Sequence, residues 1–269
     1  MYTIDELIAV CISRQVQDGD LLGQGLATPL VAAGYVLAKY THAPNVAFAS
    51  AIGQGYVEQP APLGLARAEE FWIGKALTST SFIALAADAY PAFEPVEFFR
   101  PGQVDTWGNF NNVAFGKNVH RPRLRMPGTG GIPDVTTYSN RVYLYVPRHS
   151  RAIFVPRLDF RSGLGHDPAR RKGNGPCYLI SDLGQFDWAE GQMRLTSVHP
   201  GVTVQRIQAK TGFELALAPN VGETQPPTDE ELRLLREEID PLGVRRLETL
   251  AGSARREHLR HILAQEGAL

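Results

Sequence analysis

Three glycines in four positions, Gly128, Gly130 and Gly131, run into Ile132-Pro133-Asp134 and form the segment of this sequence best suited to hold a ligand. Glycine permits positive φ and lets backbone N–H groups approach a ligand oxygen, as a phosphate, a carboxylate or a carbonyl becoming an oxyanion requires. Taken alone, such a loop is also an ordinary surface turn. A second polar stretch, Gly102-Gln103-Val104-Asp105-Thr106-Trp107-Gly108-Asn109-Phe110-Asn111, offers the amides of Asn109 and Asn111. They could orient a ligand carbonyl if they face a cleft, although Asx side chains in such density normally tie up local backbone. Arg121, Arg123 and Arg125 alternate, and Arg170-Arg171-Lys172 forms the other basic cluster. Both suit phosphates and both suit a solvated edge or loop.

Other groupings carry less. His258 and His261 are spaced for a metal on one helix face, yet no Cys or carboxylate pattern completes a site, so no metal is assigned. Ser162, His166 and Asp167 are neighbours in sequence, whereas a triad is defined in space, and this stretch reads as a loop.

The elements that must position these residues alternate between strand and helix. Thr3-Ile4-Asp5-Glu6 is a capping box, and Ile4, Leu7, Ile8, Cys11 and Ile12 recur at helical spacing until the turn Asp18-Gly19-Asp20. A short strand at Leu21 to Gly25 leads to Thr28-Pro29, cap and first residue of a helix over Leu30 to Tyr40. Val46 to Ile52 predicts a second buried strand before Gly53-Gln54-Gly55. Residues 71 to 89 read as helical, and Glu97 to Arg100 as a strand edge. Further strands are predicted at Val142 to Val146, Ala152 to Val155, Tyr178 to Ser181 and Met193 to Ser197. A helix from about Thr203 to Lys210 precedes a linker at Pro226-Pro227. The capping box Thr228 to Glu231 then opens a helix reaching Ile239, and the charged tail is helical. The expectation is an α/β fold with an open, largely parallel sheet flanked by helices, one domain over residues 1–222 and a helical extension over 223–269.

Bulk properties narrow the function. The 269 residues are 43% hydrophobic and 20% charged, those of an ordinary globular protein. Net charge is -1, with 27 Lys+Arg against 28 Asp+Glu, so no global field recruits nucleic acid or an acidic membrane. Only Cys11 and Cys177 occur, Cys11 on the apolar side of its helix, which suits a reducing cytoplasm and no disulfide scaffold. No basic and apolar leader marks Met1 to Glu6, and the most apolar run, Phe82 to Ala87, is far short of the roughly 20 residues of a membrane span.

Taken in order, several segments resemble the beta subunits of class I CoA-transferases, in particular the glutaconate CoA-transferase branch. They are Asp18 to Pro29, Gly102 to Asn111, Gly128 to Asn140 (GTGGIPDVTTYSN), Asp182 to Asp187, and His199 to Thr203 through Thr211-Gly212-Phe213. The resemblance implies the CoA-transferase type of α/β fold, related to the NagB/RpiA-like architecture. It also implies an alpha-subunit partner in an α2β2 assembly, a coenzyme A thioester as substrate with no permanently bound cofactor, and an active site at the subunit interface. There Gly128, Gly130, Gly131 and Ile132 would hold the thioester region, with Ser50, Gln54 and Asn109 on the substrate side.

One departure from the family pattern redirects the reading. Where the family's beta subunit carries the glutamate that attacks acyl-CoA, after the strand at Val46 to Ala49, this sequence has Ala49-Ser50-Ala51-Ile52-Gly53-Gln54. Serine cannot form the acyl anhydride that passes a thioester to a second acid. A site that keeps its thioester cradle and lacks the nucleophile resembles an offshoot of the family, the steroid ring-cleaving hydrolases of the IpdAB type, and within it the IpdB subunit. That resemblance implies hydrolytic C–C cleavage of a cyclic β-keto-acyl-CoA, with a base from the alpha subunit. Two other readings stay open: a classical CoA-transferase beta subunit in which a carboxylate such as Glu58 takes over, and a non-catalytic subunit that stabilises its partner. A sugar-phosphate isomerase of related fold is a distant fourth.

Overall fold

The structure of the protein, a computed structural model, describes all residues except 26–27, 51–53 and 169. The chain forms two compact units, residues 1–95 with 226–269, and residues 96–225.

In the first unit the strands β1 (Leu21–Gln24), β2 (Ala47–Ser50), β3 (Gly55–Val57) and β4 (Ala76–Ser79) lie in that order. β1 and β2 are parallel, with Leu22 opposite Phe48 and Gln24 opposite Ser50, and β3 and β4 fold back antiparallel. The parallel pair is connected by the Pro29–Tyr40 helix, as a crossover between parallel strands demands. That helix packs on the Ile4–Ser13 helix at Gly34, where a Cβ would lie 2.7 Å from the carbonyl oxygen of Ala9. Close approach of two helix backbones explains a glycine in a helix interior, a position that otherwise costs about 1 kcal/mol. The capping box at Thr3 forms as the sequence predicts, with Thr3 N donating to Glu6 Oε2 at 2.8 Å.

Residues 226–269 fold into this first unit through buried charge. Arg245 donates to Asp240 Oδ2 at 2.9 Å and to Glu6 Oε1 at 3.2 Å, and its Nε lies 3.0 Å from Asp5 Oδ2 in ion-pair contact without hydrogen-bond angles. Arg236 adds a fork onto both oxygens of Glu6 at 2.6 and 2.9 Å. Burial works against the Glu6 charge, but the two arginines and the Thr3 amide prevail and hold its carboxyl down to about 2. The second capping box, at Thr228, starts the Asp229–Arg233 helix, which winds on to Ile239.

In the second unit β5 (Val96–Phe99) is followed by two short antiparallel pairs, β6 (Gln103–Val104) with β7 (Phe110–Asn111), and β8 (Ala114–Phe115) with β9 (Leu124–Arg125). The main strands are β10 (Val142–Val146), β11 (Pro176–Ser181), β12 (Gly184–Ala189), β13 (Gln192–Val198) and β14 (Ala216–Glu223), in the order β14-β13-β12-β11-β10-β5. β5, β10 and β11 run parallel, as do β13 and β14, while β11 to β13 form an antiparallel meander. The fold class is the α/β one expected, a large sheet with helices against it.

Three expectations need correcting at the level of elements. Ala152 to Val155 makes only an isolated bridge, Val104 to Phe154. β4 replaces part of the helix read over 71 to 89, which is split into Ala68–Ile73 and a winding helical segment over 82–93. β14 was invisible because it is mostly exposed and carries Pro219 and Asn220, so it lacks the apolar signature of a buried strand.

Candidate functional site

At the end of β2 the chemistry is neutral. Ser50 is fully buried, and its Oγ donates to Gln24 Oε1 at 3.0 Å, the residue opposite it in the parallel register with β1. The preceding carbonyl, Ala49 O, accepts from the Tyr90 hydroxyl at 3.2 Å. Gln54 reopens the chain after residues 51–53, which lie outside the described residues. It has φ of 49° and an exposed side chain, and its carbonyl accepts from Thr80 N at 2.6 Å. Thus the described part of this strand end presents a serine and two glutamines and no carboxylate. Glu58, four residues beyond Gln54, is exposed and accepts from the Tyr56 hydroxyl at 3.4 Å.

The glycine loop lies in the second unit, between β9 and the Ile132–Tyr138 helix. Gly128, Gly130 and Gly131 all have positive φ, at 110°, 51° and 88°, and a Cβ at any of them would meet nothing within 4 Å. Glycine is therefore required here by backbone conformation and not by crowding. The loop is held at its ends, by Gly128 N donating to Asn112 O at 3.0 Å and Ile132 N to Thr129 O at 2.9 Å. Among the described residues nothing accepts from the amides of Gly130 and Gly131. Ile132 itself is buried and serves as the apolar anchor of the turn.

The support behind that loop was not legible in the sequence. Thr136 Oγ1 donates to Ile132 O at 2.7 Å and accepts from Leu164 N at 3.0 Å. Asn109 then fastens the next residue: its Oδ1 accepts from Gly165 N at 2.9 Å while its Nδ2 donates to Asp105 Oδ2 at 3.1 Å. Both ends of the Asn109 amide are thus used within the chain. Arg170, read as part of a basic loop, spreads its guanidinium over the carbonyls of Thr136, Leu164, Gly165 and Lys172 at 2.6 to 2.8 Å. Burial pushes the Asp105 carboxyl above the usual range, against the pull of the Asn109 and Trp107 donors. Asn111 is likewise spent internally, on Gln103 Oε1 and Ala114 O, both at 2.8 Å.

The remaining motifs separate in space. Ser162 Oγ accepts from Asn112 N at 2.9 Å, His166 Nε2 meets Pro176 O at 2.7 Å and Asp167 pairs with Arg161, so the three do not form a triad. His258 is engaged by Gly243 O at 2.7 Å, and among the described residues no group of three or more His, Cys, Asp or Glu is arranged to hold a metal. Arg121, Arg123 and Arg125 are exposed. No helix among the described residues is long and apolar enough to cross a membrane.

The fold is an α/β sheet whose first unit has a strand end closed by a buried neutral pair and whose second unit has a glycine loop with two uncommitted amides. Comparison with known proteins gives the class: the coenzyme A transferase family model matches residues 6–210, and the chain belongs to this family. Two curated relatives are similar over nearly their full length. One is a subunit of the 3-oxoadipate CoA-transferase of Pseudomonas knackmussii, 28% identical, with 87% of this chain and 92% of that protein covered. The other is the cholesterol ring-cleaving hydrolase IpdB subunit of Mycobacterium tuberculosis, 30% identical, with 91% and 98% covered. Among solved structures, the decarboxylase AibA/AibB superposes with a TM-score of 0.78 at 28% identity, over 90% of this chain and 97% of that one. The first two are named as B or IpdB subunits and the third as an AibA/AibB pair, and this chain is the beta-type subunit of a heteromer.

Proposed function

We propose that this chain is the beta subunit of a heteromeric CoA-thioester hydrolase that opens the last ring of a steroid-derived cyclic β-keto-acyl-CoA. The observation that carries this reading is the Ser50 to Gln24 hydrogen bond. It puts a buried neutral pair where transferase chemistry needs an ionised carboxylate.

In this reading a base of the partner subunit takes a proton from water, and the oxygen bonds to the ring ketone carbon. The ring C–C bond then breaks, its electron pair moving into the thioester as an enolate, and the former ketone carbon becomes a carboxylic acid. Protonation at the carbon next to the thioester completes the hydrolysis. The amides of Gly130 and Gly131 donate to the charge growing on the thioester oxygen, a role in which removal of one donor typically costs about 10²–10³ in rate. Asn109 acts behind the loop, through Gly165.

The relative named as an IpdB subunit supports this reading, and the relative named as a 3-oxoadipate CoA-transferase favours the second one, classical transfer with a displaced carboxylate. Incubation of the reconstituted heteromer with acyl-CoA and then borohydride or hydroxylamine separates them. Hydrolytic turnover without modification of this chain is expected, and a modified glutamate in it would sink the ring-opening proposal. Gly131→Val is expected to lower turnover by about 10²-fold or more with the heteromer intact. Unchanged turnover after substitution of Ser50, Gln54 and Gly131 together would instead make this a stabilising subunit.

A further inference from the structure

The first unit carries a surface that its own fold leaves uncovered. Leaving out the terminal Met1 and Leu269, five of the eight exposed large hydrophobic side chains among the described residues fall between positions 65 and 93: Leu65, Ile73, Leu77, Ile83 and Phe93. Leu77, Ile83 and Phe93 are 64%, 76% and 68% exposed. Residues 76–93 hold a single charged side chain, Asp88, against 20% charge in the chain as a whole. Depletion of charge around exposed apolar and aromatic residues is the signature of an interface core, not of a solvated face.

The backbone points the same way. β4 is the last strand in the order β1-β2-β3-β4, and its residues Leu77, Thr78 and Ser79 are exposed. An edge strand facing solvent is normally blunted by charge, proline or a bulge; Ala76–Ser79 has no charge or proline, and its one such device is a bulge that leaves the exposed Leu77 between the paired Ala76 and Thr78. The surface is also tied to the candidate site. Thr80 N, next to β4, bonds the carbonyl of Gln54, and Tyr90, inside the 82–93 helical segment, bonds the carbonyl of Ala49 beside Ser50.

We propose that β4 and the helical segment 82–93 form the face on which the alpha-type partner subunit docks, with Leu77, Ile83 and Phe93 as its apolar anchors. A partner seated there lies against the same backbone that ends β2, so it can deliver a side chain to Ser50 and Gln54. This rests on the heteromeric reading and not on the ring-opening one. Docking is therefore read by mass, independently of turnover.

The test co-purifies the full chain with its alpha-type partner and measures assembly by analytical ultracentrifugation. Ile83→Asp with Phe93→Asp is expected to weaken the heteromer at least 100-fold while the isolated chain keeps its circular dichroism and melting temperature. Leu217→Asp, at a position 51% exposed on β14 of the other unit, is expected to leave assembly unchanged. Should the double variant lose its fold, Leu77→Arg on the edge strand reads the same effect. An undiminished heteromer in these variants overturns the proposal, as does finding that they abolish self-association of this chain while the partner still binds. A wild-type heteromer that assembles and shows no ring-opening turnover overturns the function and leaves the docking face standing.

Discussion

The two units hold their buried polar groups in opposite ways. In the first, Arg245, Arg236, Asp5, Glu6 and Asp240 form an ionised knot that ties the N-terminal helix to the C-terminal segment. In the second the buried polar groups are neutral. His149 sits between Ser181 Oγ at 3.1 Å and Thr211 Oγ1 at 3.0 Å and stacks on Phe154, while His199 bridges Thr224 and Ser181 O. An ionic knot depends on every partner being present. A neutral network tolerates single losses better and depends on pH.

The largest effect tests the knot. Arg245→Ala leaves the buried Asp5 and Asp240 without their guanidinium and Glu6 with Arg236 alone, and a loss of ~3–5 kcal/mol is expected by urea denaturation. A loss below about 1 kcal/mol would mean that water enters the site and the comparison with the second unit fails. Asn109→Ala in the second unit is expected to cost less, ~1–3 kcal/mol, because it leaves Gly165 N and Asp105 without one neutral partner each. Its second readout is faster amide exchange at Thr136 to Gly165 with the first unit unchanged.

The pH dependence sharpens the contrast. Burial, with Lys210 adding to it, holds His149 down to about 3 from an ordinary 6.5, so the unfolded chain takes up that proton first. Its contribution is complete above pH 6.5 and is lost as pH falls toward 3. Glu97 on β5 runs the other way. It is half-buried, has no hydrogen-bond or ionic partner among the described residues, and burial pushes it up to about 8. Here the folded state binds the proton more tightly, so stability is intact below the ordinary value of 4.5 and falls as pH rises through 8. Glu97→Gln is expected to flatten the alkaline limb of a melting-temperature profile and leave the acid limb alone. The smallest effect is expected at Ser50→Ala, about 1 kcal/mol, since its hydrogen bond to Gln24 joins two neutral groups.

Much of the scaffold was legible because its signals are local. Capping boxes at Thr3 and Thr228, Pro29 at a helix start and the apolar run of β10 report their own backbone, and the structure places an element at each. Among the strands the sequence did not predict, β4 and β14 are exposed edges whose residues carry no burial pattern to read, while β3 and β12 (GYV and GQFDWA) lie inside the sheet and carry too few apolar residues to stand out locally. At the candidate site the glycines of 128–131 declared themselves, because positive φ is a property of single residues. Their supports did not: Arg170 reaches Thr136 and Asn109 reaches Gly165 across more than 30 positions, and no local pattern encodes such pairing.

By itself, then, the sequence determined the α/β class, the glycine loop and the absence of a glutamate at Ser50, each set by residue type and short-range spacing. Only the tertiary structure decided that Ser50 is answered by Gln24, that Asn109 and Arg170 brace the loop, and that Leu77, Ile83 and Phe93 lie exposed. Those facts depend on parallel register and on which surfaces remain after packing, and both are settled by contacts between residues far apart in the chain.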